Sequence, residues 1–342
     1  MVADAVKRAL VSVVIPAFNA QKWLAATLSS AASQTHTNLQ IIVVDDGSVD
    51  QTSEIAEARA LKDSRIIVKR QSNQGVAAAR NAGIDAADGD FIAFLDGDDI
   101  WSPRKIELQV AALETAGSRV GLVYNWFRRI DASDVVMPVS AYPVVEGKVL
   151  FRHIDWNFIS NGSTVLVRAE TARRIRFDRR LVQQGCQGCE DYLFQLEVAL
   201  TQNFVCVPAF LTGYRQTGVS MSASTEQMAR SHIKMFEILR GRVPVRAQAI
   251  IAQRIAEYEL TLAILQAKRG QLGAVVPLLR ALESSLGGTV ASLGTRYRRK
   301  KVGSIDGSAV PFAELGVDLP DGQWHTSKSR SRLERLARLD RD

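Results

Sequence analysis

Three carboxylates fall within four positions at Asp96-Gly97-Asp98-Asp99. Like charges this close repel one another, and a divalent cation relieves the conflict. Hard ions such as Mg2+ or Mn2+ take carboxylate oxygens and can bridge them to a diphosphate. A solvated acidic turn needs no ion, and an isolated Asp-Gly-Asp reads that way at least as readily. A second acidic pair, Asp45-Asp46, leads into Gly47-Ser48-Val49-Asp50, where a carboxylate can accept from the base or ribose of a nucleotide. Asp50 reads instead as the N-cap of the following helix. Asn19, after Pro16-Ala17-Phe18, can bond a base edge or cap a helix. Arg80 is the only charge in the small-residue stretch Gln74–Gly83, so it is either a snorkelling surface residue or the partner of an anion. Glu190-Asp191 opens an apolar stretch, and taken alone such a pair complements a helix macrodipole.

The elements that would position these groups follow from hydrophobic runs. Residues 10–15, 39–44 and 91–95 are apolar, β-branched or aromatic and too short for typical helices, so they read as buried strands. The acids lie where two of those strands leave the sheet, which is where open α/β sheets build ligand sites. Pro16 removes a ladder donor at the exit of the first strand. A helix is predicted over residues 51–61, a strand over 120–126, a loop or short hairpin over 131–143, and a turn, strand and charged exit over 161–168. From about residue 221 to 287 the pattern is helical (228–239, 245–268 and 272–286), broken at Gly241, Pro244, Gly270 and Gly273. Residues 287–323 are Gly- and Ser-rich and read as loop.

Val13-Val14-Ile15-Pro16-Ala17-Phe18-Asn19, Val44-Asp45-Asp46-Gly47-Ser48-Val49-Asp50, Gly75 to Gly83 and Leu95-Asp96-Gly97-Asp98-Asp99 resemble, in order and spacing, the motifs of the family 2 inverting glycosyltransferases. The resemblance covers about the first 110 residues closely and continues more loosely to about residue 220. It implies an α/β, Rossmann-like GT-A fold with a mixed sheet flanked by helices, here with a C-terminal helical appendage. It also implies a nucleotide-diphosphate sugar donor and Mn2+ or Mg2+. On this reading Pro16, Ala17 and Asn19 line the nucleoside pocket, Asp46 accepts from the base, and Arg80 flanks base or phosphate. Asp96 contacts the ribose and Asp98 holds the ion. Phe177-Asp178 and Gln187-Gly188-Cys189-Glu190-Asp191 are similar to the family's acceptor-side motifs, which makes Asp191 the general base and Glu190 an acceptor-orienting acid. An inverting transfer needs such a carboxylate opposite the leaving nucleotide. One departure is the absence of a histidine after Tyr214-Arg215. Either Asp98 and the diphosphate oxygens hold the ion alone, or Arg215 (also a candidate diphosphate contact), Gln216 or Thr217 substitutes.

The implied activity is transfer of a sugar to a hydroxyl of a cell-surface polysaccharide, a lipid-linked intermediate or a similar glycan. Two other readings are a sugar nucleotidyltransferase and a non-catalytic glycan-binding or scaffold relative. The first would want a Gly-rich basic loop where Pro16-Ala17-Phe18-Asn19 stands. The expected organisation is a glycosyltransferase domain over 1–220 (nucleotide-sugar binding in 1–115, acceptor side and base in 116–220) and a helical subdomain over 221–287. Residues 288–342 are expected to form a basic, partly disordered tail.

Composition sets outer bounds. At 342 residues, 46% hydrophobic and 23% charged, the chain suits one large α/β domain with an appendage. It has no run of about 18 apolar residues, so no transmembrane helix is expected, and residues 1–8 lack the apolar core of a signal peptide. Three cysteines suit a reducing, cytoplasmic compartment. Cys186 and Cys189 form a Cys-x-x-Cys pair, but Cys206 and the scattered His36, His153, His232 and His325 supply no second pair for zinc. The +7 net charge concentrates in 296–301, five bases in six residues, and in 328–342, six bases and three acids. Such segments attract anionic surfaces. Without an aromatic stacking platform or a reading helix they do not indicate nucleic acid. Peripheral contact with the inner face of the plasma membrane and homo-oligomerisation are the expected associations.

Overall fold

The computed structural model of the chain describes residues 9–137, 144–216, 224–290, 311–314 and 330–341. The first part runs β1 (Val11–Ala17), α1 (Leu24–Ala32), β2 (Leu39–Asp45), α2 (Thr52–Ala60), β3 (Ile66–Arg70), α3 (Val76–Asp85), β4 (Phe91–Phe94), β5 (Ile100–Trp101) and α4 (Lys105–Thr115). Then come β6 (Val120–Ile130), α5 (Leu150–Asp155), β7 (Val165–Arg168), α6 (Ala169–Ile175), α7 (Arg180–Gln183), α8 (Glu190–Ala199) and β8 (Asn203–Arg215). Helices α9 (Thr225–Arg240), α10 (Val245–Lys268), α11 (Val275–Ser284) and α12 (Arg330–Arg341) follow.

The eight strands form one mixed sheet in the order β3-β2-β1-β4-β7-β6-β8-β5. β3, β2, β1 and β4 run parallel to one another, whereas β7 is antiparallel to both β4 and β6. Alternation along each strand builds two cores, because successive side chains leave opposite faces. Val11, Val13 and Ile15 pack with Leu24, Leu28, Ala56, Ile106 and Val110 from α1, α2 and α4. Val14, Ile42, Val44 and Phe94 pack on the other face with α3, α5, α6 and α8. Parallel strands buried on both faces read as the near-continuous apolar runs seen in the sequence.

The helices after the sheet are less separate than a subdomain over 221–287 suggests. Ala229, Met235, Phe236 and Leu239 of α9 and Ala247, Ile251 and Ile255 of α10 join the second core. Part of the expected tail is also ordered against it. In α12, Leu336 is buried in that core, Asp340 accepts from Phe151 N (2.7 Å) and Arg152 Nε (2.6 Å), and Arg332 Nε donates to Asp155 (3.1 Å). Leu336 and the partly buried Leu339 thus make a packing face. The basic run 296–301, residue 217 and residues 138–143 lie outside the described residues. Before 138, the expected hairpin begins with an Ile130–Val136 antiparallel bridge.

Candidate active site

β1, β2 and β4 run parallel, so their exit loops meet at one end of the sheet. Gly97 lies close against β1: a Cβ there would lie 3.2 Å from Pro16 O and 3.4 Å from Ala20 Cβ. The missing side chain lets the acidic loop lie against β1. Thr27 Oγ1 then pins the loop by donating to the carbonyls of Gly97 (3.1 Å) and Asp99 (2.8 Å).

The three acids of that loop have different partners. Asp99 is fully buried and accepts from Ser163 Oγ (2.6 Å), Asn161 Nδ2 (3.1 Å) and Arg215 N (2.9 Å). It joins the ends of β4 and β8 to the turn Gly162–Thr164. Asp96 is partly exposed and accepts from Arg80 Nη2 (2.6 Å). Asp98, half-buried, has no side-chain donor on its carboxylate among the described residues, and burial and then Asp96 push its pKa up to about 6. An uncompensated carboxylate of this kind suits a cation. Among the described residues no three His, Cys, Asp or Glu side chains converge as a cage. An ion at Asp98 would therefore take its other oxygens from a bound diphosphate, the usual arrangement for Mg2+.

Across the cleft, α8 begins at Glu190-Asp191. Gly188, at φ +87°, donates its N–H to Glu190 Oε2 (2.9 Å), while Glu190 Oε1 is buried without a partner among the described residues. Asp191 Oδ1 accepts from Tyr192 N (2.8 Å). Burial raises the Asp191 pKa, Arg80 opposes that rise, and Asp96 adds to it. Tyr192 OH donates to the carbonyls of His153 (2.5 Å) and Ile154 (3.3 Å), so α5 braces the first turn of α8.

Arg80 links the two sides. Its guanidinium is buried, sits 5.1 Å from the Phe177 ring centroid, and feels Asp96, then Asp191 and Glu190. Its Nε has no hydrogen-bond partner among the described residues. Gly162 makes the approach possible, since a Cβ there would lie 3.2 Å from Arg80 Nη2 and 3.4 Å from Asp191 Cβ. One cation thus serves a donor-side acid and a candidate base. Arg80, expected at the base or phosphate end of a donor, sits at the junction of the two halves.

The nucleoside-side residues form the loops at the sheet end. Pro16 and Ala17 lie within buried β1, and Ala17 O accepts from Asp46 N (2.8 Å). Asn19, at φ +49°, accepts from Val49 N (3.0 Å) on Oδ1 and donates its N–H to Ser48 Oγ (3.0 Å), locking two exit loops together. Asp46 accepts from Gln71 Nε2 (2.7 Å), Gln74 N (3.0 Å) and Gly75 N (2.8 Å). A carboxylate has about four lone-pair positions, so most of its capacity goes to shaping the loop into α3. The N-cap position of α2 is Gln51 rather than the expected Asp50, which lies one residue earlier and accepts from Thr52 N (3.0 Å).

Arg215 is held by protein groups. It is buried, with Nε on Asp98 O (2.7 Å), Nη1 on Asp131 O (2.9 Å), Nη2 on Asp134 (2.5 Å) and its face 4.2 Å from the Trp23 ring centroid. All three of its guanidinium nitrogens face protein oxygens, an arrangement that lends the expected diphosphate contact no support. Ser163, Asn161 and Gly162 were not singled out by sequence reasoning as site residues. The available signal was the crowding itself, because three acids in four positions require buried donors for at least one.

Residues 12–179 match the family Glycosyl transferase family 2. The chain is similar to the putative glycosyltransferase EpsH of Bacillus subtilis, 35% identical over 184 residues that cover 50% of this chain and 51% of that protein. It is similar to the amylovoran biosynthesis glycosyltransferase AmsB of Erwinia amylovora, 32% over 180 residues, covering 50% and 60%. A shorter match is to Escherichia coli WfaP, a UDP-Glc:alpha-D-GlcNAc-diphosphoundecaprenol beta-1,3-glucosyltransferase, 46% over 107 residues, covering 31% and 42%. The chain spans less than two thirds of each of these relatives, and 17% of two uncharacterized rickettsial glycosyltransferases. Among solved structures, S. aureus TarS 1–349 with UDP-GlcNAc superposes with TM-score 0.56 at 18% identity, covering 92% of this chain and 99% of that one. The mannosyltransferase PcManGT from Pyrobaculum calidifontis, with GDP-Man and Mn2+, gives 0.53 at 17%, covering 86% and 89%. At these identities the likeness is one of fold.

Proposed function

The chain belongs to glycosyl transferase family 2 through residues 12–179, and from that premise we propose an inverting, metal-dependent transfer from a nucleotide-diphosphate sugar to a glycan hydroxyl. The observation that carries this is the convergence at Gly162 of Arg80, paired with Asp96, and Asp191. A donor lying along the ends of β1, β2 and β4 would put its leaving diphosphate beside Asp98, with Asp191 facing the sugar from α8. A single displacement needs the nucleophile and leaving group on opposite sides of the sugar.

In this mechanism Asn19 and Asp46 shape the nucleoside end together with the backbone of Pro16 and Ala17. Arg80 holds Asp96 toward the ribose. Asp191 takes the acceptor hydroxyl's proton as the new bond forms, and Glu190 orients that acceptor. Asp98 would hold Mn2+ or Mg2+, which when bound neutralises the departing diphosphate. Sugar nucleotides bound to structural neighbours, UDP-GlcNAc and GDP-Man with Mn2+, support the donor class and the ion. Relatives acting in amylovoran biosynthesis and on a diphosphoundecaprenol-linked sugar support a polysaccharide or lipid-linked acceptor. The basic run 296–301 supports a peripheral position on the inner face of an anionic membrane. Among the described residues no helix is long and apolar enough to cross one.

Thermal shift against a panel of nucleotide sugars, with and without Mn2+, tests the reading, because a ligand of the native state raises Tm. A Mn2+-dependent rise with one donor, followed by its hydrolysis or transfer, is the expected result. No rise with any sugar nucleotide would sink it.

A further inference from the structure

The turn Gly162–Thr164 touches both halves of the cleft, and its hydrogen bonds single out one residue as the connection. On the acceptor side Gly162 lies against the first turn of α8, where a Cβ on it would be 3.4 Å from Asp191 Cβ. The residues flanking Gly162 reach the donor side. Asn161 Nδ2 (3.1 Å) and Ser163 Oγ (2.6 Å) both donate to Asp99 Oδ2, so one carboxylate oxygen clamps the glycine between two prongs. Ser163 N–H closes the turn on Asn161 Oδ1 (2.6 Å).

Ser163 makes a further bond that Asn161 does not. Its Oγ accepts the N–H of Asp96 (3.0 Å), the acid paired with Arg80. A hydroxyl has one proton and two lone pairs, and here the proton goes to Asp99 while a lone pair takes Asp96. The side chain is fully buried, so neither bond is exchanged for water. The turn's carbonyls are anchored separately: Ser163 O accepts from Trp101 Nε1 (2.8 Å) and Thr164 O from Gln109 Nε2 (2.7 Å). Losing the hydroxyl would therefore release the acidic loop from Gly162 and leave the turn attached to β5 and α4. Thr27 offers the contrast. It pins the same loop from α1, through the carbonyls of Gly97 and Asp99, and its proton goes to those carbonyls rather than to the turn.

We propose that Ser163 is a positioning residue that fixes the loop of Asp96 and Asp98 relative to the helix bearing Asp191, acting through Gly162. An in-line displacement depends on that spacing, since a misplacement of about 1 Å can cost about 10²-fold in rate. The catalytic consequence rests on the transferase reading; the mechanical link does not.

Amide hydrogen exchange on the full chain, without ligand, tests the link. Ser163→Ala should speed exchange by about fivefold or more, the scale of one lost hydrogen bond. The rise should appear at Asp96 and Asp99 in the loop and also at Tyr192 and Leu193, whose amides bond Asp191 Oδ1 and Cys189 O in α8. Thr27→Val should speed only the loop. Asn161→Ala removes the other prong, should move both regions, and decides the matter if Ser163→Ala does not fold. A rise confined to the loop in both turn variants, or the same rise throughout the sheet, would overturn the proposal. Kinetics then read the consequence, with whichever of UDP-glucose, UDP-GlcNAc and GDP-mannose raises Tm in Mn2+. Hydrolysis of that donor at saturation should slow by roughly 10–100-fold in Ser163→Ala, with donor Kd changed by less than about threefold. A matching loss of affinity, or an equal slowing in Thr27→Val, would reduce Ser163 to loop stability. Coupled exchange without a Tm rise for any donor removes the transferase reading and leaves the link standing.

Discussion

On the donor side of the cleft, Asp46 and Asp99 are each held by three protein donors, and Asp98 is left without a side-chain donor among the described residues. On the acceptor side both acids are under-bonded: among the described residues Glu190 keeps a buried oxygen with no partner, and Asp191 accepts from no side chain, only from local backbone N–H groups such as that of Tyr192. Donors to a carboxylate stabilise its charged form and lower its basicity. A carboxylate that fixes a loop benefits from them, and one that must receive a proton does not. Adjacent acids such as Asp98 and Asp99 can therefore do opposite work, and saturation with donors tells them apart where proximity in sequence does not.

The sharpest way to break this comparison is Asp191→Asn. It preserves shape but cannot take a proton, so kcat should fall by roughly 10²–10⁴, while donor Kd, measured by calorimetry, should hardly move. Glu190→Gln should be milder. Near-normal turnover in Asp191→Asn would place the base elsewhere.

The next test sets neighbours against each other. Asp98→Ala should remove the Mn2+-dependent part of donor affinity and leave the apo protein as stable as before or slightly more so. Asp99→Ala should cost about 2–4 kcal/mol in chemical denaturation, because buried donors on Ser163, Asn161 and Arg215 lose their acceptor. The reverse pattern, a stability loss at 98 and none at 99, would invert the assignment.

A smaller effect is expected at the nucleoside end. Asp46→Asn should weaken nucleotide binding by about 1–3 kcal/mol, equally for free nucleotide diphosphate and complete sugar nucleotide. A loss confined to the sugar nucleotide would move Asp46 away from the base.

The smallest concerns pH. Burial raises the Asp191 pKa and Arg80 restrains that rise. The deprotonated acid is the active base, so activity is lost as pH falls through this pKa. Arg80→Gln removes the restraint, raises the pKa further and should move the acid limb of the kcat/KM profile to higher pH by about one unit. An unmoved limb would separate Arg80 from the base.

Much of the donor side was legible because its signals are local. β1, β2 and β4 are short apolar runs, and Asp46, Asp96 and Asp98 stand where those runs stop. What escaped depended on contacts between distant segments. The side of α3 that meets the sheet is set partly by Gly83, where a Cβ would lie 2.2 Å from a Val14 methyl, and that packing turns Arg80 toward Asp191. Arg215 looks like a cation awaiting an anion until the carbonyl of Asp131 and the carboxylate of Asp134, some eighty residues earlier, come under it. The leucines of α12 are visible in sequence, but α5, the element they pack against, gives no sign of needing a cover.

That last contact has a consequence for how the protein is made. α12 grips α5 through Asp340 and Arg332, and α5 in turn receives the hydroxyl of Tyr192, next to Asp191. Synthesis at about 5–20 residues per second separates Asp191 from Asp340, 149 residues later by their numbers, by roughly 7–30 s. During that interval the nucleotide-binding strands have emerged and can pair, while the helix bearing the candidate base still lacks its outer brace. A nascent chain should therefore acquire affinity for a nucleotide before it acquires a fixed base.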